Sequence, residues 1–499
     1  MTKFLNGIAG FKKEHRQMLP IIIKRIQMNK RLSGLVLVTL FLAACSTIPT
    51  AGTAITNVTV IDAINGSRSH QTVIFHDDEI IAVLPAEEKF LVSETIDGTG
   101  KYLIPGLWDF HVHLTYDDRF TETMPAMFLS YGVTSVRDTG GLLNKILPVV
   151  SAMRSDTAIA PRVYFAGPLL DGKFVVYDGK SVPEIGVRNA TGSEAKAMIA
   201  GLKDQGVDFI KVYELVTPTV FHAMVEAANE LNLPIDSHVP LSMLASEAGP
   251  LVDSIEHLRN IELDCASDSA VLHKKRLELL ENTGDLSGYQ LRSSLHKIQR
   301  MSAIANYSEP RCDQTLAALT ATMQVPTLRL NAVTIYPPYE RSGWKEAMAR
   351  TPTSIQDEWY QLESKLRKNQ SNQDSTFADW SLFLTGRMHD KGLPIAAGTD
   401  TPIGLSVPGY SLHSELEMLV KAGLSPLEAL GSATVRPAEY FSLQNELGSI
   451  DAGKKADMVL LDKNPLDDIR NTKTIAAVIS KGRWLTPAEL LPTIQNPAQ

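Results

Sequence analysis

The sequence shows no excess of glycine, proline or charge: 32 Gly and 27 Pro among 499 residues, with 21% charged side chains. That excludes a disordered chain, and 44% hydrophobic residues match a globular one. A long basic stretch is missing from its body, and the net charge is -8. Phosphate backbones are bound by clustered Lys and Arg, so a nucleic-acid partner is not favoured. There is no glycine-rich phosphate loop and no Gly-x-Ser-x-Gly elbow. Cysteine is scarce. Beyond Cys45 only Cys265 and Cys312 occur, both in one irregular region. A disulfide between them and two free buried thiols are equally open from sequence alone.

The N-terminus carries an address. Lys24–Arg31 is basic, Leu32–Ala44 is apolar, and Leu42-Ala43-Ala44-Cys45-Ser46 follows with small residues. That order reads as an export signal over residues 1–45, with an apolar run too short for an ordinary membrane-spanning helix. Met28 is an alternative start. Leu-Ala-Ala-Cys resembles a bacterial lipobox, which implies cleavage before Cys45 and lipid on its thiol. Residues 46–53 then form a short tether. Ser46 resembles the sorting residue of outer-membrane lipoproteins. A periplasm-facing lipoprotein of the bacterial cell envelope, held to the membrane by its lipid, is expected.

Apolar and polar residues alternate in Ala54–Asp62, Gln71–Phe75 and Glu79–Leu84, with His76-Asp77-Asp78 as a turn. Ala456–Leu461 and Ile475–Ile479 repeat the pattern at the far end. These are half-buried strands. They suggest a small β-sandwich domain built from 54–104 and 440–488. Between the two flanks, short apolar strands alternate with helical stretches, clearest in Ala195–Gln205 and Val220–Asn232. Candidate strands are Leu103–Leu114, Val133–Asp138, Arg162–Gly167, Phe209–Tyr213, Pro234–Val239, Ser254–Leu258, Met323–Leu328 and Pro394–Asp400. The expected fold class is therefore α/β, a (β/α)8 TIM-like barrel over 105–439. Two stretches break the repeat, near 264–320 and 338–391. They read as lid or selecting insertions, or else as surface decoration or an oligomer contact.

Chemistry concentrates at strand ends. His111 and His113 lie two apart on one strand, so their side chains share a side and can reach one metal. Lys211 sits within Phe209–Tyr213, where a charge is costly to bury unless paired or modified. His238, His257 and Asp400 each end a later strand. Arg137 and Asp138 end the second strand and read as a structural ion pair. Thr327, at the end of the seventh, is a weak candidate for touching substrate. His413 lies at the start of a helix after strand eight, facing the mouth or packing there.

This ordered set resembles the amidohydrolase superfamily, in its imidazolonepropionase-like and Xaa-Pro dipeptidase (prolidase)-like branch. The resemblance rests on Pro105–Leu114, Gly132–Asp138, Ile255-Glu256-His257, Gly398-Thr399-Asp400, Ala433-Thr434 and Gly453–Asp457. It implies two divalent metal ions, zinc foremost. His111, His113 and Asp400 would hold one, His238 and His257 the other, with carboxylated Lys211 and a hydroxide bridging them. Asp400 would also move the proton from nucleophile to leaving amine. Tyr213, and at the mouth His413, are candidates for binding substrate. The implied reaction is amide hydrolysis of dipeptides or N-acyl amino acids. Alternatives are a single-metal cyclic-amide (imidazolone- or hydantoin-type) hydrolase, a lactonase or phosphotriesterase, and a non-enzymatic envelope lipoprotein. The partner is a small molecule or short peptide. A homo-oligomer is compatible with the sequence.

Overall fold

The computed structural model describes residues 51–180, 182–369 and 374–495. The export signal, Cys45 and residues 46–50 of the tether lie outside the described residues. The strands in chain order are β1 Thr53–Asp62, β2 Gly66–His76, β3 Glu79–Pro85, β4 Glu94–Asp97 and β5 Tyr102–Pro105. Next come β6 Leu107–Val112, β7 Val133–Asp138, β8 Arg162–Phe165, β9 Leu169–Asp171 and β10 Gly186–Arg188. β11 Ile210–Val212, β12 Ile235–Ser237, β13 Ser254–Glu256 and β14 Met323–Val325 follow. β15 Met458–Leu461, β16 Ile475–Ser480 and β17 Arg483–Leu485 close the series.

Among the described residues the two strand-rich flanks pair with each other. β15 pairs antiparallel with β5, placing Leu460 opposite Leu103, and β5 pairs parallel with β1. Hydrogen bonding joins β1–β5 and β15–β17 into one eight-stranded sheet. Alternation gives this sheet two apolar faces. Val60, Phe75, Leu103, Met458 and Ile479 build a core of its own. Ile61, Ile104, Val459 and Val478 belong to the main core of the chain. Arg162, at the start of β8, pairs with Asp78 and Asp457 and so ties this sheet to the strands that carry the site.

The middle of the chain is α/β with parallel pairing. One parallel sheet runs β6-β7-β8 and another β10-β9-β11-β12-β13-β14. β6, β7 and β11–β14 are buried at every residue, as parallel strands covered by helices must be. The covering helices begin where their sequence caps them. Thr217 accepts from the Val220 N–H ahead of Pro218–Glu230, and Thr191 accepts from the Glu194 N–H ahead of Gly192–Asp204.

The expected eighth strand is the exception. Pro394–Asp400 forms one isolated bridge, at Ile395, with another at Thr401 just beyond it, rather than a ladder. It still hydrogen-bonds on both sides. Gln324 N–H donates to Pro394 O at 2.8 Å, and Phe110 N–H donates to Ala397 O at 2.9 Å. Gly398 permits that approach: a Cβ there would stand 2.7 Å from both His111 Cβ and Val325 Cγ1. The two interrupting stretches are helical. The first holds Ser269–Glu281, Gly288–Ala305 and Glu309–Ala318, and the second Thr353–Asn369 and Thr376–Asp390. Cys265 and Cys312 are bonded as a disulfide across the first. Among the described residues no helix is long and apolar enough to cross a membrane.

Candidate metal centre

Four histidines, a lysine and an aspartate line one cavity of about 180 Å³. His111 on β6 and His113 just beyond it do share a side. Their Nε2 atoms lie 3.3 and 3.2 Å from Asp400 Oδ1. Among the described residues these three form a group whose donor atoms lie within 4.8 Å of one another. Two imidazoles and a carboxylate suit a borderline divalent cation such as zinc, so the residues fit a metal ion. The ring of His257, beyond β13, lies 4.6 Å from that of His111 and 4.8 Å from that of His238, measured between ring centres. Lys211, in the middle of β11, and Tyr213 line the same cavity.

Behind the cavity, every one of these histidines is held at Nδ1. His111 Nδ1 bonds Glu256, His113 Nδ1 lies 3.0 Å from Gly140 O, and His238 Nδ1 lies 2.7 Å from Glu214 Oε1. His257 Nδ1 lies 2.7 Å from Thr327 Oγ1. A carbonyl or carboxylate can only accept, so Nδ1 carries the proton in the first three. Their Nε2 is then the ligand atom. This outer-partner arrangement orients metal-binding imidazoles and raises their basicity.

The backbone is unusual here as well. His257, Leu258, Asn260, Thr327 and Asp400 all have positive φ without being glycine. Each such residue costs about 1–3 kcal/mol and persists only where the surroundings hold it. The supports are visible. His257 N–H donates to Val325 O, Asn331 Nδ2 donates to His257 O, and Asp400 N–H donates to His111 O.

Burial, assisted by the Lys211 charge, pulls the His238 pKa down to about 4, and burial holds His257 well below its usual range. Both are neutral at pH 7, as ligands must be. His111 goes the other way. Burial lowers it, but Glu256 and Asp400 outweigh burial and lift it to about 9. A metal ion there competes with that proton. Burial would protonate Asp400, yet the bonds to the His111 and His113 imidazoles and the charge of His111 hold its carboxyl well below the usual range.

Several expectations need correction. Lys211 is paired: its Nζ donates to Asp236 Oδ2 at 2.9 Å, so burial alone does not require a modified amine. Arg137 does not pair with Asp138. It bonds Glu256, Ser254 Oγ and Phe110 O, whereas Asp138 accepts from the Leu114 and Gly140 N–H groups. Thr327 is fully buried behind His257 and does not line the cavity. His413 also lies away from it, fully buried with Nδ1 at Thr472 Oγ1 and Nε2 at Tyr131 O.

Sequence reasoning missed Glu256, Asp236 and Glu214. The signal for the first two was present, since each is an acid inside an apolar strand, Glu256 directly before His257 and Asp236 two residues before His238. Glu214 follows Tyr213 and accepts from Arg292 and His296, which come from Gly288–Ala305 in the first insertion. No local pattern could foretell that contact.

An α/β body with imidazoles and a carboxylate gathered at the ends of its strands defines a protein with a candidate hydrolytic metal site. The amidohydrolase family signature matches residues 384–485. An imidazolonepropionase of Brevibacillus brevis is 36% identical over 77 residues, which is 15% of this chain and 18% of that protein. The chain thus matches less than a fifth of that relative's length. An ochratoxinase of Aspergillus niger is 23% identical over 467 residues, covering 81% of this chain and 80% of that one. A solved Xaa-Pro dipeptidase with methionine in its active site superposes with a TM-score of 0.61 at 18% identity, covering 87% of this chain and 100% of that one. That likeness concerns the fold. The chain thus matches the amidohydrolase family over residues 384–485, and its fold is similar to that of the solved dipeptidase.

Proposed function

We propose that this protein is a metal-dependent hydrolase that cleaves the amide C–N bond of dipeptides or N-acyl amino acids. We read β6–β8 and β11–β14, with 394–401 as the eighth unit, as a (β/α)8 barrel whose strand ends open on the site. The sheet shared by the chain ends is read as the small sandwich domain. The observation that carries the functional reading is the convergence of His111, His113, His238, His257, Lys211 and Asp400 on one cavity.

Two divalent cations, held by His111, His113 and Asp400 on one side and His238 and His257 on the other with carboxylated Lys211 between, would supply Lewis acidity that activates water and polarises the carbonyl. The chain's own residues do the rest. Asp400, ionised beside His111 and His113, is placed to accept a proton from attacking water and to return it to the leaving amine. Tyr213, with its ring 4.5 Å from that of His238, presents its hydroxyl as a polar contact for substrate. The small cavity leaves little room for bulk water beside a bound substrate, which strengthens each charge interaction within it.

The pairing of Lys211 with Asp236 favours one other reading, a single ion at His111, His113 and Asp400 acting on cyclic amides. Metal content per chain separates the two. A library of dipeptides and N-acyl amino acids, assayed with metal analysis, tests the main reading. Complete lack of amide cleavage overturns it, as does a His111→Ala variant with full activity. We also propose that Cys45 carries the lipid that holds the protein to the cell envelope. A Cys45→Ser variant should then move from the membrane fraction to the soluble one.

A further inference from the structure

The place where the chain enters the fold is fixed by its neighbours. Gly52, one residue before β1, accepts at its carbonyl from Ser93 Oγ at 2.8 Å and from the Glu94 N–H at 3.3 Å. A Cβ at Gly52 would stand 3.4 Å from His76 Cβ. Thr53 is the register neighbour of Phe75 on β2 and of Glu94 on β4. The entry point is thus a corner where the turn after β2 meets the segment leading into β4. Cys45 lies seven residues before Gly52 in the sequence, and that many residues of any conformation reach about 25 Å at most. Lipid on Cys45 therefore keeps this corner within that distance of a bilayer.

The corner carries an apolar tip. Leu91 is 57% exposed, Phe90 and Val92 on either side of it are half-buried, and Ser93, two residues on, is the residue that bonds Gly52. Glu87, Glu88 and Lys89 precede this run and are exposed. A charged shoulder with an apolar tip suits a contact that stays shallow, at the boundary of headgroups and acyl chains. One such tip is too small to hold a protein on a membrane. A tether changes that, because it raises the local concentration of bilayer that the tip meets. The other end of β1 lacks this advantage. Ile64, 59% exposed in the turn after it, lies about 30 Å away, the length of a ten-residue strand.

The corner also sets a direction. Asp78, in the turn between β2 and β3, pairs with Arg162 at the start of β8. Along the parallel strands β6, β7 and β8, Trp108 neighbours Ser135 and Ser135 neighbours Arg162 at one end. Val112 neighbours Asp138 and Asp138 neighbours Phe165 at the other. His111 and His113 belong to that second end, so the metal cavity opens on the side of the strands away from the corner.

We propose that the Phe90-Leu91-Val92 tip seats in the bilayer that holds the lipid of Cys45, so that the protein stands on this corner with the mouth of the metal cavity turned away from the membrane. The proposal rests on the lipid-anchor reading of Cys45 above. It has substrate reach the site from the aqueous side and not from the lipid.

The test uses the lipidated full chain in vesicles of phosphatidylethanolamine and phosphatidylglycerol. With Cys45 acylated and Cys265 bonded to Cys312, an introduced cysteine is the free thiol that takes a nitroxide label. Leu91→Cys, Ile64→Cys and Tyr289→Cys each replace an exposed side chain, which folded proteins tolerate. Tyr289 marks the mouth side, near the start of the insertion helix that reaches Glu214. Electron paramagnetic resonance reads accessibility to oxygen, which enters lipid, against accessibility to a water-soluble nickel chelate. The oxygen-to-nickel ratio at position 91 should rise several-fold from the soluble Cys45→Ser form to the vesicle-bound form, while positions 64 and 289 keep their ratios. A vesicle-bound chain whose position 91 keeps its soluble ratio overturns the proposal and leaves the lipid anchor standing. A rise at 64 or 289 instead overturns the orientation. Loss of both accessibilities at 91 shows a protein partner over the tip and also overturns it. A chain that stays soluble with Cys45 unmodified sinks the lipid-anchor reading, and the proposal falls with it.

Discussion

Lys211 Nζ lies 2.9 Å from Asp236 Oδ2, and the two residues are register neighbours on β11 and β12. The lysine that faces the histidines thus has its counter-ion on the adjoining strand. Converting its amine to a carbamate would cancel that attraction and leave Asp236 to Ser254 Oγ and the more distant Arg137. Metal-loaded protein grown or exchanged with ¹³C-labelled carbon dioxide should show a carbamate carbon by NMR. Lys211→Arg should abolish the signal and roughly halve the bound metal. An unlabelled wild type with full activity would favour the single-ion reading.

Glu256 joins His111 Nδ1 to the buried Arg137 guanidinium. Removing one partner of such a buried pair costs about 3–5 kcal/mol, and losing the group behind a metal-binding imidazole costs about 10–100-fold in metal affinity. Glu256→Gln should show both losses. Adding Arg137→Met should recover stability, because the orphaned cation is gone, without restoring metal affinity. Denaturant titration and metal competition assays separate the two effects.

The Cys265–Cys312 bond spans 47 residues of the first insertion. Closing a loop of that length typically contributes about 2–4 kcal/mol by restricting the unfolded chain. Reductant, or Cys312→Ser, should lower the denaturant midpoint accordingly and leave the metal content of the folded protein unchanged. Identical midpoints with and without reductant would show that the bond is not formed in solution.

His413 is buried, and burial, with the Lys473 charge, pulls its pKa down from 6.5 to about 3. The sign follows from proton counting. Between those values the unfolded chain binds a proton that the folded chain does not, so stability falls as pH drops below about 6.5. One such group contributes about 1.4 kcal/mol per pH unit. His413→Gln should be less stable at pH 7.5, having lost a fitted imidazole, but should lose less additional stability between pH 6.5 and 4.5. Unfolding free energies at several pH values check the slope.

The periodicity of the chain revealed much of this fold, because strand-end chemistry and apolar runs are local properties. β7 was legible residue for residue, and β11–β14 in position though not in length. Pro394–Asp400 was read as a full strand, but Asp400 takes a left-handed backbone and bends the segment out of a ladder. His111 and His113 were legible from a two-residue period. Their partners Glu256 and Gly140 were not, since register between strands far apart in sequence fixes those contacts. Placing His413 at the mouth mistook proximity in sequence to strand eight for proximity in space.

The pairing of β5 with β15 has a consequence for how the protein is made. Leu103 and Leu460 are opposite one another although more than 350 residues separate them. The N-terminal strands must wait with an unpaired edge until nearly the whole chain has emerged. Such an edge invites wrong partners. A ribosome that stalls before β15, or a truncation there, would therefore release a chain with an open sheet and an aggregation-prone rim, even with every residue of the candidate metal centre present.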